Sequence, residues 1–478
     1  MVTSLTLLVA FLIYPLLLVL VGRVVGRRAD NDTFFTGNRQ QPWYLVWPAM
    51  ISAAMSGITF ASVPGSVAAD GFTYLQMVMG FTVGQLLIAF WLVPLFYRLR
   101  VRSIYQYFEA RFGLEAHRAA GGCFVVAKLL SAALKLYIVV LMLQQLVCNG
   151  LGLPYWCNAL ATVIVVWAYT RAGGVKTLLR TDLIKTAVMV TAIVGAVVAL
   201  LGAIPNETLS EVAASSPYTD IFCWDPHSDR YFWKMFASGI LLLLAMTGLD
   251  QDLMQRNLAC RSVADARKNV LLTAISQVVV ISLLLVLGML LYGYADRVGL
   301  VRPERADLLF AEVAISGGLP WWVALLFVLG FSAGSFSSGG SALTALTTTV
   351  VIDLFPDRVR SEEALTRLRR RVHALLAVAL LLLLLLFGRW GDQSVINLIY
   401  KVAGYTYGPL LGMFLFGQFS RRRVAGRAIV VAVLSAPLLS VVAQWVATTC
   451  FGQPIGFELL LLNALLTVAL MRLMSRSS

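Results

Sequence analysis

Long apolar stretches separated by short polar segments run the whole length of this chain. A membrane-spanning helix needs about 20 apolar residues. Thirteen windows meet or approach that need: 3–22, 43–66, 71–97, 120–148, 154–171, 176–203, 233–252, 269–294, 320–350, 372–388, 394–418, 428–448 and 456–472. The pattern predicts an all-α polytopic membrane protein of about 13 transmembrane helices, folded as one transmembrane domain. The first apolar run lacks the charged n-region and small-residue cleavage site of a signal peptide, which predicts that it is kept as a helix.

Within the second window the pattern changes. Ser52 to Gly65 reads S-A-A-M-S-G-I-T-F-A-S-V-P-G, rich in small and hydroxyl residues and carrying Gly57 and Pro64. Small residues let backbones approach closely, so one reading is a tightly packed helix pair. A Gly/Pro-interrupted hydrophobic segment also points to a transporter binding site, because irregular backbone at membrane depth survives only where protein or a polar cavity covers it. On a helix, Ser52, Ser56 and Thr59 share one face. The halves of the chain echo each other here. Five windows lie between 43 and 203 and five more between 233 and 418, and the first of each set is interrupted, at Ser56-Gly57 and at Thr247-Gly248. Five being odd, the second set crosses in the opposite sense. This is the plan of an inverted-repeat transporter, with one extra helix before it (3–22) and two after it (428–472).

Composition agrees with a membrane protein: 59% hydrophobic, 13% charged, and mean hydropathy +0.81. The net charge of +14 suggests nucleic acid until its placement is examined. About 28 basic residues fall in alternate loops (23–42, 97–119, 171–180, 253–268, 351–371, 419–427 and the C-terminal tail) against roughly five in the others. Lys and Arg collect on the cytoplasmic side, so the asymmetry predicts a cell-membrane protein with its N-terminus outside and its C-terminus in the cytoplasm. It accounts for the charge without nucleic acid. Arg256 is counted among these loop residues. The six cysteines have no paired spacing and predict neither a disulfide framework nor a metal site. The three histidines fall far apart, each in a loop or at a helix end. The outer loop 204–232 is acidic and predicts a short helix or lid; it includes an Asn206-Glu-Thr208 acceptor triplet.

Four apolar windows carry residues that a plain bundle does not need. The stretch 52–65 is the first. Gly330 to Thr349 is the second, with Ser337, Ser338 and Ser341 within about one helical turn. Hydroxyl and carbonyl oxygens suit a hard cation; serines bonded back to their own helix are the alternative. The third is Gly173 to Asp182. An acidic residue in a span pairs or binds a cation, and a salt bridge to Lys176 or Arg180 is the alternative for Asp182. The fourth is Lys135, near mid-span, whose partner is either a protein carboxylate or an anionic substrate. Gln76, Gln144 and Lys401 make the same case more weakly.

At these residues the chain resembles the sodium/solute symporter family, whose fold is the LeuT-type 5+5 inverted repeat. Five segments carry the likeness: S-G-I-T-F-A-S-V-P-G at 56–65, G-G-V-K-T-L-L-R-T-D at 173–182, L-D-Q-D-L-M-Q-R-N-L-A-C-R-S at 249–262, S-S-G-G-S-A-L-T-A-L-T-T-T-V-V-I-D at 337–353, and A-G-Y-T-Y-G-P-L-L-G at 403–412. Together they cover both repeats. The resemblance implies one sodium ion held by the carbonyls of Ser52, Met55 and Gly334 and the hydroxyls of Ser337 and Ser338. It implies a second sodium in some members, through Asp182 and serines such as Ser341, although Gly340 stands where such members have another serine. It implies substrate at the midplane against Ser56 and Thr59, with Lys135 where sialic-acid-transporting members have a carboxylate-binding arginine. Gln76 lies only near the sugar-binding positions of that family, one of which is Val78 here.

The expected function is therefore sodium-coupled import of a small polar solute, a carboxylate or sialic-acid-like anion, by alternating access, with sodium as coupling ion and no other cofactor. A neutral solute with Lys135 structural, proton coupling, and a non-transporting membrane sensor are the alternatives. An intramembrane enzyme would want His/Asp/Glu clusters in adjacent spans, and the chain has none.

Overall fold

The computed structural model describes residues 4–475 except 28, 205–207, 356–360, 391–394, 453–454 and 457. Its helices, in chain order, are α1 (Ser4–Gly26), α2 (Asn31–Thr36), α3 (Trp43–Ala54), α4 (Gly57–Asp70), α5 (Tyr74–Leu87), α6 (Val93–Leu99), α7 (Gln106–Phe112), α8 (Leu114–Leu143), α9 (Tyr155–Thr170) and α10 (Gly174–Ala203). They continue as α11 (Leu209–Ser215), α12 (Phe232–Leu243), α13 (Gln251–Leu258), α14 (Val263–Val298), α15 (Leu309–Ser316), α16 (Trp321–Thr349), α17 (Glu362–Trp390), α18 (Val395–Phe419), α19 (Gly426–Phe451) and α20 (Leu459–Leu473). Among the described residues the only β-pairing is an isolated bridge between Gln41 and Cys260.

Among the described residues seven helices are long and apolar enough to cross a bilayer by themselves, or up to nine when each of two bent pairs is counted as one span. The bent pairs are α3 with α4, at 56°, and α12 with α13, at 66°. They fall where the two interrupted windows were expected. At the first break Met55 and Ser56 are extended, and the α3 backbone ladder stops at the Met55 N–H bond to the Ile51 carbonyl, 2.9 Å. The last carbonyls of α3 then have no intrahelical donor. At the second break Asp250 is extended and caps α13.

The small-residue helix α16 is the axis of the bundle. Every residue from Gly330 to Thr349 is buried, and α4, α8, α9, α10 and α17 pack around it. Its hydroxyls are mostly satisfied within the helix: Ser332, Ser335, Ser338, Thr344, Thr347 and Thr348 each donate to the carbonyl four residues earlier. That satisfies polar groups at membrane depth without a partner helix, so the back-bonded reading holds for most of this stretch. Gly334 lets the broken helix approach. A Cβ there would lie 2.7 Å from the Gly57 amide nitrogen and 2.9 Å from the Ser56 carbonyl carbon.

Several expectations about the connecting segments change. Arg256, counted as a loop cation, lies on α13 and is wholly buried. A window of hydropathy cannot separate a loop from a short polar helix folded back into the bundle, and α13 is such a helix. Of the histidines, His117 does lie at a helix end, buried on the first turn of α8, but His373 is buried within α17, between Thr170 and Thr347. The 204–232 segment does contain a short helix, α11, with a capping box between Thr208 and Glu211. Asn206 and Glu207 of the acceptor triplet lie outside the described residues.

Candidate functional site

A cavity of about 590 Å³ lies between the two helix breaks. One end is lined by Asp70, Thr73, Arg230 and Asp307, on the face that carries the 204–232 segment; the other reaches Asp250 and Asp252. The opposite face is closed by buried bonds. Tyr105 donates to the Leu249 carbonyl (3.0 Å), the Ile104 N–H to Gln251 (2.9 Å) and Ser103 to Asp353 (2.7 Å). His117 stands 2.7 Å from the same Asp353.

The deep wall of the cavity is charged, and its charges cancel. Lys128 of α8 lies 3.0 Å from Asp250 and 2.9 Å from Asp252. Tyr407 of α18 donates to Asp250 at 2.6 Å, and Ser341 of α16 donates to Asp252 at 2.9 Å. Arg256 stands 3.4 Å from Asp252 and 2.9 Å from Asp182 of α10. Lys185, one turn along α10, lies 2.9 Å from the other Asp182 oxygen. Three carboxylates thus meet three cations behind the cavity. Charges in such a place survive only paired and hydrogen-bonded, and the pairing ties α8, α10, α13, α16 and α18 together.

Lys135 stands apart from this network. It lies seven residues beyond Lys128 on the same face of α8 and lines the cavity. Among the described residues no carboxylate lies within ion-pairing distance of it, and it makes no hydrogen bond. Ser56 and Thr59 line the cavity at the first break, their hydroxyls 3.3 Å apart. Ser56 also caps α4, accepting the Thr59 N–H at 3.4 Å. Gln76 is elsewhere. It is fully buried on α5, where it donates to the Thr73 and Arg230 carbonyls (3.2 and 3.0 Å) and accepts the Cys223 N–H (3.1 Å). It pins the 204–232 segment and does not reach the cavity. Gln144 likewise holds a connection, donating to Asn149 and the Leu153 carbonyl, and Lys401 is exposed.

The residues named for the first sodium come together at the α3–α16 contact. Ser52 donates to Ser337 at 2.8 Å, Gly334 abuts the Ser56–Gly57 break, and Met55 and Ser338 line the cavity beside it. The pair named for a second sodium is not brought together. Asp182 takes Lys185, Arg256 and Ser337 (3.2 Å), whereas Ser341 faces Asp252. Neither Lys176 nor Arg180 forms the salt bridge that Asp182 makes. Sequence reasoning missed Lys128, Asp250, Asp252, Lys185 and Arg256. The signal for Lys128 was present, a lysine in an apolar window like Lys135, and Asp250 and Asp252 stood in a quoted segment without a role.

An all-helical membrane bundle whose two broken helices flank a polar cavity is the architecture of a solute transporter. The chain belongs to the sodium:solute symporter family, whose model matches residues 34–435. This is a family of transporters, not enzymes. The human sodium/iodide cotransporter is 28% identical over 410 residues, 84% of this chain and 63% of that protein. A zebrafish (Danio rerio) sodium-coupled monocarboxylate transporter 2 is 24% identical over 404 residues, 82% of this chain and 63% of its own. The chain thus matches less than two thirds of the length of these curated relatives. The fold is that of an outward-open, substrate-bound Na+-coupled sialic acid symporter, at TM-score 0.83 and 18% identity over 99% of both chains. A nucleobase-cation-symport-1 family transporter in a closed conformation aligns at TM-score 0.55 and 13% identity, over 94% of this chain and 95% of its own.

Proposed function

We propose that the chain is a sodium-coupled symporter that imports a small organic anion, a carboxylate or sialic-acid-like solute, by alternating access. The observation that carries this reading is Lys135. Among the described residues every other cation at the cavity wall has a carboxylate, so an anion entering the cavity would supply the partner that Lys135 lacks. Helix polarity supports the same assignment. A half-helix N-terminus is attractive to an anion and a half-helix C-terminus to a cation. Of the two N-termini at the breaks, that of α13 is already met by the Asp250 carboxylate, which accepts the Asp252 and Leu253 N–H groups at 2.8 and 3.4 Å. That of α4, with Ser56 and Thr59, faces the cavity.

Sodium belongs at the other side of the same break. The carbonyls of Ser52 and Met55 at the end of α3, the Gly334 carbonyl, and the hydroxyls of Ser337 and Ser338 offer an oxygen set suited to a hard cation. An ion there ties α3 to α16 and orders the break, so sodium and solute raise each other's affinity reciprocally. With the N-terminus outside and the C-terminus cytoplasmic, as the loop charges indicate, the open end of the cavity faces outward and the Tyr105–Asp353 side is the closed inner gate. On this reading thirteen crossings carry a 5+5 repeat over 43–203 and 233–418. The inward sodium gradient then drives accumulation, and the membrane potential, worth about 2.3 kcal/mol per charge per 100 mV, adds to it only by the net charge that sodium and solute carry together.

Thermal stabilisation of the purified protein by a panel of solutes, each in sodium and in potassium, tests the reading. A carboxylate or sialic acid that stabilises only in sodium is the expected result. Stabilisation by a neutral sugar would keep the symporter and make Lys135 structural. No sodium effect with any solute would remove the cation site and favour proton coupling or a sensor.

A further inference from the structure

We infer that Lys185 is a covalently tethered cation occupying the place of a second coupling ion, so that the chain binds a single sodium. The inference rests on the symporter reading above and deepens it by assigning a stoichiometry.

The starting point is Asp182, a fully buried carboxylate at mid-bundle. A carboxylate so placed needs a cation. Here both of its oxygens are taken. One accepts the Lys185 ammonium at 2.9 Å and the Ser337 hydroxyl at 3.2 Å; the other accepts Arg256 at 2.9 Å. A sodium ion at Asp182 would have to displace one of these groups or sit beside two fixed positive charges in a medium that screens them poorly.

Lys185 is built into this position. Its ammonium donates to the Tyr169 hydroxyl at 3.2 Å and lies 4.7 Å from the centre of the Tyr169 ring. The Tyr169 hydroxyl in turn donates to the Phe336 carbonyl on α16. Tyr169 reaches that carbonyl because residue 340 is glycine: a Cβ at Gly340 would overlap the tyrosine hydroxyl. Gly340, Tyr169, Lys185 and Asp182 therefore form one fitted unit joining α16, α9 and α10. A tethered charge cannot be released to either side of the membrane. It keeps Asp182 neutralised through the whole cycle, and only the ion between α3 and α16 travels. Ser337 touches both places, donating to Asp182 and accepting from Ser52, so the fixed cation also sets the orientation of a hydroxyl at the mobile ion.

The test is equilibrium binding of radioactive sodium to the purified full chain, with no solute present, for wild type, Lys185→Gln, and the double variant Lys185→Gln/Asp182→Asn. The expected counts are one ion per chain in wild type, two in Lys185→Gln, and one again in the double variant. Two ions in wild type would overturn the inference, as would a count in Lys185→Gln unchanged from wild type. If Lys185→Gln fails to fold, the wild-type count and Lys185→Arg, which keeps the charge, decide: one ion in both supports the tethered cation, and two in either overturns it. No ion in wild type would instead sink the sodium reading of the α3–α16 site. A single ion gained in Lys185→Gln and lost in the double variant would uphold Lys185 even then, so the two failures are told apart.

Discussion

Lys128 and Asp250 lie 3.0 Å apart across the second helix break, and the same ammonium reaches Asp252 at 2.9 Å. One side chain of α8 thus clamps both residues that flank the N-terminus of α13. Lys128→Ala leaves two nearly buried carboxylates without their main cation. Breaking a buried pair from one side costs about 3–5 kcal/mol. Lys128→Ala is expected to lower the unfolding temperature and the yield of folded protein sharply, and Lys128→Met/Asp250→Asn to recover part of both. Equal loss in the single and double variants would mean that the pair is not a unit.

Two turns along the same helix, Lys135→Ala is expected to behave differently. A hydrogen bond to a charged group contributes about 1.5–3 kcal/mol, so carboxylate uptake should fall by about tenfold to a hundredfold. Sodium binding and thermal stability should stay near wild type, and Lys135→Arg should restore part of the uptake. Loss of folding in Lys135→Ala would assign it to structure instead.

At the first break, Ser338→Ala removes one oxygen from the proposed ion site. The sodium concentration for half-maximal uptake should rise by about tenfold, the effect of losing about 1.4 kcal/mol, while maximal uptake is retained at high sodium. Unchanged sodium dependence would take Ser338 out of the site. Ser337→Ala should be more severe, because Ser337 also holds Asp182.

Gly334→Ala places a methyl group within 2.7 Å of the Gly57 amide nitrogen. The neighbour is backbone and cannot swing aside, so α16 and the break must separate. Sodium-dependent thermal stabilisation should disappear while the apolar contacts of the rest of α16 keep the protein folded. Retained stabilisation would show that the close approach is not what forms the ion site.

Gln76→Ala should leave sodium and solute dependence alone and loosen the 204–232 segment, which Gln76 holds through Arg230 and Cys223. Faster proteolytic nicking within that segment, with unchanged transport, is the expected pattern. A shift in solute preference would bring Gln76 back to the substrate.

The chain's own pattern determined a good deal: an all-helical membrane protein, the positions of both breaks, and the segments that meet at them. Those features follow from local rules. Apolar windows insert, glycine and proline interrupt, and helical spacing sets which residues share a face. It also showed that Lys135 and Asp182 were out of place in lipid. Which ions meet which was decided only by the fold. Lys128 and Lys135 look alike in the sequence, and the fold brings Asp250 and Asp252 at the start of α13 to one of them and leaves the other to the cavity. Lys185 is an i,i+3 neighbour of Asp182 that helical spacing could have named, but Arg256 comes to Asp182 from 74 residues away. No periodicity can announce a partner at that separation, because a buried charge is stabilised by whatever tertiary neighbour stands within a few ångströms, and that neighbour exists only once the helices have packed.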